Sequence, residues 1–151
     1  MRDRRVSFYD AMNMQLLDWT DELSVEDDEL DDQHKKLVDL INELHQGMRA
    51  GKGSAVLGEV LQRLADYTAE HFAREEHICA QCTFPDLAAH RAAHAQLLTE
   101  VQNLRQRFDS GELLLSVETL DFLKHWVADL IVQSDKRYSP YVRAWRSGSA
   151  T

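Results

Sequence analysis

The placement of its helix breakers constrains this chain most. Only two prolines and six glycines interrupt 151 residues, and the breaks fall at Gly51-Lys52-Gly53, at Cys82-Thr83 before Phe84-Pro85, and at Gly111. Between them, apolar residues recur at helical spacing, with no strand-like alternation. The first segment starts at about Asp32, behind the acidic DELDD, with Leu37, Leu40, Ile41 and Leu44 on one face. Ser54 is expected to cap the second, whose Val56, Val60, Leu61, Leu64, Tyr67 and Thr68 lead toward His71. Phe84-Pro85 opens the third, because proline suits a first helical turn, and the fourth runs from near Ser116 to about Tyr138, where Ser139-Pro140 breaks it. Short connections between long helices make neighbours antiparallel, so the expected fold is all-α, an up-down-up-down four-helix bundle.

Around that frame, residues 1–15 form an N-terminal extension, 16–145 the helical domain and 146–151 a disordered tail. An arm carrying Phe8, Tyr9, Met12, Met14, Leu16, Leu17 and Trp19 is too apolar to be free and is expected to lie across the bundle or a neighbouring subunit. A hydrophobic content of 44% supports a compact core, and a net charge of −9 removes the phosphate-neutralising surface that nucleic-acid binding needs. No apolar run approaches the length of a membrane span or a signal segment, which points to a cytoplasmic protein with no membrane partner. Cys79 and Cys82 form one CxxC, too little for a disulfide framework or a four-thiolate zinc site.

The turns also align the polar residues. In an antiparallel hairpin, two residues equally far from the turn lie at one height. His34 and His71 are equidistant from the Gly51-Lys52-Gly53 turn; Glu75 with His90, and His71 with His94, are equidistant from Cys82-Thr83; His90 and Asp135 are equidistant from Gly111-Glu112. These six residues therefore converge on a slab about 6 Å thick. Within single helices, His71 with Glu75 and His90 with His94 are four apart and share a face. Imidazoles and carboxylates in one layer of a bundle are ligands for iron or another first-row metal, and bridging carboxylates of dinuclear sites arise this way. The last helix is less tidy. Its inward stripe reads Leu123, Val127, Leu130, Ile131 and Ser134, with Asp135 on the edge.

From the LDWTDELSVEDDELDDQHKKL opening through HFAREE and FPDLAAHRAAH to DKRY, about residues 16–138, the chain resembles the bacteriohemerythrins of the hemerythrin family. The resemblance implies a four-helix bundle around two non-haem iron ions, bridged by an oxo or hydroxo group and two carboxylates. It also implies reversible binding of dioxygen and of small anions such as azide. Carried onto this chain, His34 and His71 would ligate one iron and His90 and His94 the other, with Glu75 and Asp135 as bridges. The family has one more histidine, four residues after a tryptophan and five before the bridging aspartate. Trp126 and Asp135 are in place here, and the position between them is Leu130.

Neither His125 nor Asp129 is positioned to replace that ligand, and His77 and His45 are expected to be structural. Loss of an imidazole should weaken metal affinity by at least the roughly 10-fold to 100-fold that outer partners cost. A weakened di-iron site with reduced occupancy is expected. Three functions follow: an oxygen carrier, store or sensor; a di-iron peroxidase or oxidase using the opened position; or a metal-depleted scaffold. Cys79 and Cys82 are either candidate redox thiols beside that site or, more simply, a core residue and a turn residue.

Overall fold

A computed structural model describes residues 16–111 and 117–148. The arm over residues 1–15, the Glu112 and Ser116 ends of the third connection, and residues 149–151 lie outside the described residues. A short 3-10 turn, Asp21–Leu23, precedes four long helical segments: α1 Asp28–Arg49, α2 Ser54–Gln81, α3 Leu87–Asp109 and α4 Val117–Asp129. The chain then continues through a π turn, Leu130–Ser134, and a 3-10 turn, Asp135–Tyr138, into α5, Ser139–Arg146. The four helices pack antiparallel, as expected.

Four local expectations are corrected. α1 begins at Asp28 rather than Asp32, because Asp27 is the capping residue and its carboxylate accepts from Leu30 N–H at 3.1 Å. Asp31, inside the helix, instead ties down the incoming chain by accepting from Ser24 Oγ at 2.6 Å and Val25 N–H at 2.8 Å. Ser54 is the first residue of α2, and Gly53 precedes it without a side-chain cap. Pro85 lies in the turn before α3 rather than in its first helical turn. There, Thr83 takes φ 58° and the Phe84 N–H reaches back to the Cys79 carbonyl at 3.0 Å, a Schellman closure of α2. Finally, the regular α4 ends at Asp129 rather than near Tyr138, and Ser139-Pro140, expected to break it, instead opens α5, since proline in a first turn has no intrahelical hydrogen bond to lose.

The core runs the length of the bundle. Leu30, Leu37, Ile41, Leu44, Leu61, Leu64, Ile78, Leu123 and Ile131 are fully buried, each stabilising by about 1.5–3 kcal/mol relative to exposure. Val56, expected inside, is exposed, and Leu57 takes the inward position. At the N-terminal end, Asn42 pairs with the Leu17 backbone in both directions, at 2.9 and 2.8 Å, holding Leu16, Leu17 and Trp19 on the bundle. At the other end Arg146, expected in a loose tail, closes α5 onto Asp27 at 2.8 Å and Glu29 at 3.1 Å. α3 is unusual in burying only His90, His94 and Val101. Two of its three inward anchors are thus polar. No helix among the described residues is long and apolar enough to cross a membrane.

Candidate metal centre

The six polar residues meet. His34 comes from α1, His71 and Glu75 from α2, His90 and His94 from α3, and Asp135 from the segment after α4. His34, Glu75 and Asp135 are 0% exposed, and His71, His90 and His94 no more than 4%. Glu75 sits at the middle: its Oε2 lies 3.2 Å from Nε2 of both His34 and His71, and its Oε1 lies 2.7 Å from His90 Nε2 and 3.0 Å from His94 Nε2. Asp135 spans the same gap, with Oδ2 3.1 Å from His34 Nε2 and Oδ1 3.3 Å from His90 Nε2.

Those distances are close, yet much of the set is not hydrogen-bonded. Both Asp135 oxygens, His71 Nε2 and His94 Nε2 are buried without a hydrogen-bond partner among the described residues. Proximity without alignment means that these lone pairs point at shared space rather than at one another. Buried polar atoms left so would each cost about 1–3 kcal/mol, which a cation would relieve. The ligand atoms fall into two groups, His34, His71, Glu75, Asp135 and Glu75, His90, His94, Asp135, each with its atoms within 4.8 Å of one another. The two groups share both carboxylates, so the donor set fits a pair of cations.

Three of the histidines are oriented from behind. His71 Nδ1 pairs with Gln33 Oε1 at 2.8 Å, His94 Nδ1 with Glu76 Oε2 at 2.9 Å, and His90 Nδ1 with Ser134 Oγ at 3.2 Å. Such partners leave each Nε2 lone pair facing the centre. Phe72 stacks on His94 at 3.8 Å between ring centroids, and the buried Tyr138 hydroxyl donates to Glu75 Oε2 at 2.9 Å.

The two shared carboxylates respond in opposite ways to the layer they occupy. Burial pushes the Glu75 carboxyl up, but the four imidazoles around it, His34 and His90 in hydrogen-bond contact and His71 and His94 close by, outweigh it and hold Glu75 well below the usual carboxylate range. Asp135 moves the other way, raised by burial and by the neighbouring Glu75 charge. Burial lowers His34, yet Asp135 and Glu75 overcome that and raise it to about 10.

Asp135 reaches the centre by a device the sequence did not signal. Its backbone N–H bonds to the carbonyls of both Ile131 and Leu130, closing the π turn. The extra residue slows the helical rotation, turning Asp135 from the edge of the stripe to complete burial. Leu130 is buried, at 6% exposure. It lies between Trp126, whose ring is 6.4 Å from Phe72, and Ser134, which bonds His90. Leu130 is thus four residues from a ring beside Phe72, which stacks on His94, and four from the hydroxyl that bonds His90.

His77 and His125 are exposed, with His125 Nδ1 paired to the Asp121 carbonyl at 2.8 Å, and Asp129 is exposed too. None of these, nor His45, joins either group of ligand atoms. Cys79 and Cys82 are free and buried, and Cys82 Sγ donates to the Cys79 carbonyl at 3.5 Å. Burial pushes both thiols up, disfavouring the thiolate that redox chemistry uses. Gln33, Glu76 and Tyr138 escaped sequence reasoning, although Gln33 and Glu76 are each adjacent to a candidate ligand, His34 and Glu75, and Tyr138 closes the DKRY run.

A buried array of four histidines around two shared carboxylates, one layer of an antiparallel four-helix bundle, defines a dinuclear metal-binding class of protein. The profile of the Hemerythrin HHE cation binding domain matches residues 25–142. A bacteriohemerythrin of Stenotrophomonas maltophilia is 35% identical over 131 residues, covering 87% of this chain and 84% of that protein. A hemerythrin-like protein of Naegleria gruberi is 31% identical over 120 residues, covering 80% and 88%. The crystal structure of a wild-type hemerythrin superposes with TM-score 0.77 at 33% identity, covering 84% of this chain and 98% of the other. This chain belongs to the hemerythrin family.

Proposed function

We propose that this chain holds two iron ions and binds dioxygen reversibly, as a carrier, store or sensor, in the cytoplasm. The observation that carries the reading is the sharing of Glu75 and Asp135 between two ligand groups. Bound there, a pair of irons would supply electrons for the reversible capture of dioxygen or accept small anions such as azide. His34 and His71 would hold one ion, His90 and His94 the other. Glu75 and Asp135 balance charge between them, and the surrounding core keeps bulk water from the layer. Tyr138 fixes Glu75 by its hydroxyl and cannot serve as a base, since burial and the two carboxylates hold its proton on.

Leu130 occupies the family's remaining histidine position and offers no lone pair, so the His90 and His94 half is the weaker one. A second reading, peroxidase or oxidase activity using the opened position, draws on the cavity between α3 and α4 that Leu130 and Phe122 line. Iron analysis with visible spectroscopy tests both. Two irons per chain and a stable charge-transfer band on oxygenation support binding. Rapid decay of that band with peroxide-dependent dye oxidation favours the enzyme, and fewer than two irons with no band overturns both.

A further inference from the structure

We propose that Glu76 is a positioning residue whose negative charge, acting through His94, offsets in the His90 and His94 half the ligand that Leu130 cannot supply. This role rests on the dinuclear reading above and makes the two halves unequal in a way the shared carboxylates do not.

Each half brings two imidazoles to the same two carboxylates, so the difference between them stands behind the rings. Behind His71 is an amide: Gln33 Oε1 lies 2.8 Å from Nδ1, and the Gln33 side-chain nitrogen donates onward to Glu29 Oε2 at 3.3 Å, which keeps that charge one side chain away. His34 Nδ1 has no hydrogen-bond partner among the described residues. Behind His90 is the Ser134 hydroxyl at 3.2 Å. Of the four rings, His94 has a carboxylate in direct contact, Glu76 Oε2 at 2.9 Å from Nδ1. That carboxylate is held from its other side, because Glu76 Oε1 lies 3.4 Å from Nε of Arg91, the residue after His90 on α3. The His94 side chain is 2% exposed and Glu76 24%, so the contact is largely shielded from water. Phe72 already fixes the plane of the His94 ring, stacking on it at 3.8 Å with 1° between planes. Glu76 then fixes the tautomer: Nδ1–H donates to the carboxylate and Nε2 keeps its lone pair for the centre. An anionic acceptor at Nδ1 raises the basicity of Nε2, and it does so more strongly than an amide or a hydroxyl, since hydrogen bonds to a charged acceptor are roughly twice as strong. The gain falls on the half where position 130 offers no lone pair.

The test titrates the full chain, isotope-labelled, with zinc in competition with a chromophoric chelator. Glu76→Gln is the informative variant, because the amide keeps the length of the side chain and an acceptor oxygen and loses only the charge; a merely structural role would leave it like the wild type. The wild type is expected to bind two zinc ions. Glu76→Gln should weaken the second about tenfold and leave the first unchanged, with the same helical circular dichroism spectrum. In the zinc-loaded chain the His94 Nδ1–H resonance, assigned by its cross-relaxation with the Phe72 ring, should move upfield in Glu76→Gln while that of His71 stays in place. Unchanged affinity for both ions, an equal loss from both, or a His94 resonance that does not move overturns the proposal. Two zinc ions bound with the resonance unmoved sinks the role of Glu76 alone; a wild-type chain that takes one zinc, weakened about tenfold by Glu76→Gln, sinks the dinuclear reading and keeps that role.

Discussion

Leu130→His separates the energetics of the empty and loaded protein, because the two effects have opposite signs. In the metal-free chain the substitution removes a leucine that is 6% exposed, a burial worth about 1.5–3 kcal/mol. The replacement imidazole opens at one edge onto the Phe122 cavity, which spares it most of the additional cost of an unsatisfied buried nitrogen. Urea unfolding in the presence of a chelator should therefore show a loss of about 1–3 kcal/mol. In the loaded chain the imidazole completes the His90 and His94 half. Affinity for the weaker metal should rise by at least roughly 10-fold to 100-fold, about 1.4–2.7 kcal/mol, measured by competition against a chromophoric chelator. Less stable without metal and tighter with it is the signature. Unchanged affinity, or a gain in stability without metal, would refute the placement of position 130 at the centre.

Three further outcomes follow. Tyr138→Phe deletes a donor to the fully buried Glu75 and should weaken metal binding about 10-fold to 100-fold while leaving the helical circular dichroism spectrum unchanged. Metal binding near neutral pH should release a proton from His34, which is raised to about 10 without metal by Asp135 and Glu75 against the lowering effect of burial; calorimetry in buffers of different ionisation enthalpy reads this, and affinity should fall as pH falls. Glu29 is held at about 2, below its ordinary 4.5, first by the Arg74 hydrogen bond against some burial and then by Arg146. Its stabilisation is present above pH 4.5 and is lost as pH falls toward 2. The effect is modest because Glu29 is 34% exposed, and Glu29→Gln should flatten that limb of a urea-midpoint profile.

The bundle was legible because its breakers are few and its turns are short. Hairpin geometry then converts residue number into height, which is why His34, His71, Glu75, His90, His94 and Asp135 could be grouped before any coordinates. Height says nothing of rotation. The π turn at Leu130–Ser134 is a backbone choice that side-chain periodicity does not encode, so Asp135 read as an edge residue although it is fully buried. Element ends failed for a related reason. DDELDD offers several capping carboxylates, and only the tertiary contacts of Asp27 with Arg146 and of Asp31 with Ser24 decide which one caps α1. Gln33, Glu76 and Tyr138 are ordinary helix residues in sequence and acquire their roles only from what faces them across the bundle.

The central claim is that two metals share Glu75 and Asp135. Anomalous diffraction from crystals of the iron-loaded chain, collected on either side of the iron absorption edge, tests it most directly. Two peaks are predicted, one among His34, His71 and the shared carboxylates, the other among His90, His94 and the same carboxylates, the second of lower occupancy. A single peak equidistant from all four histidines, or iron bound away from Glu75, would contradict the account.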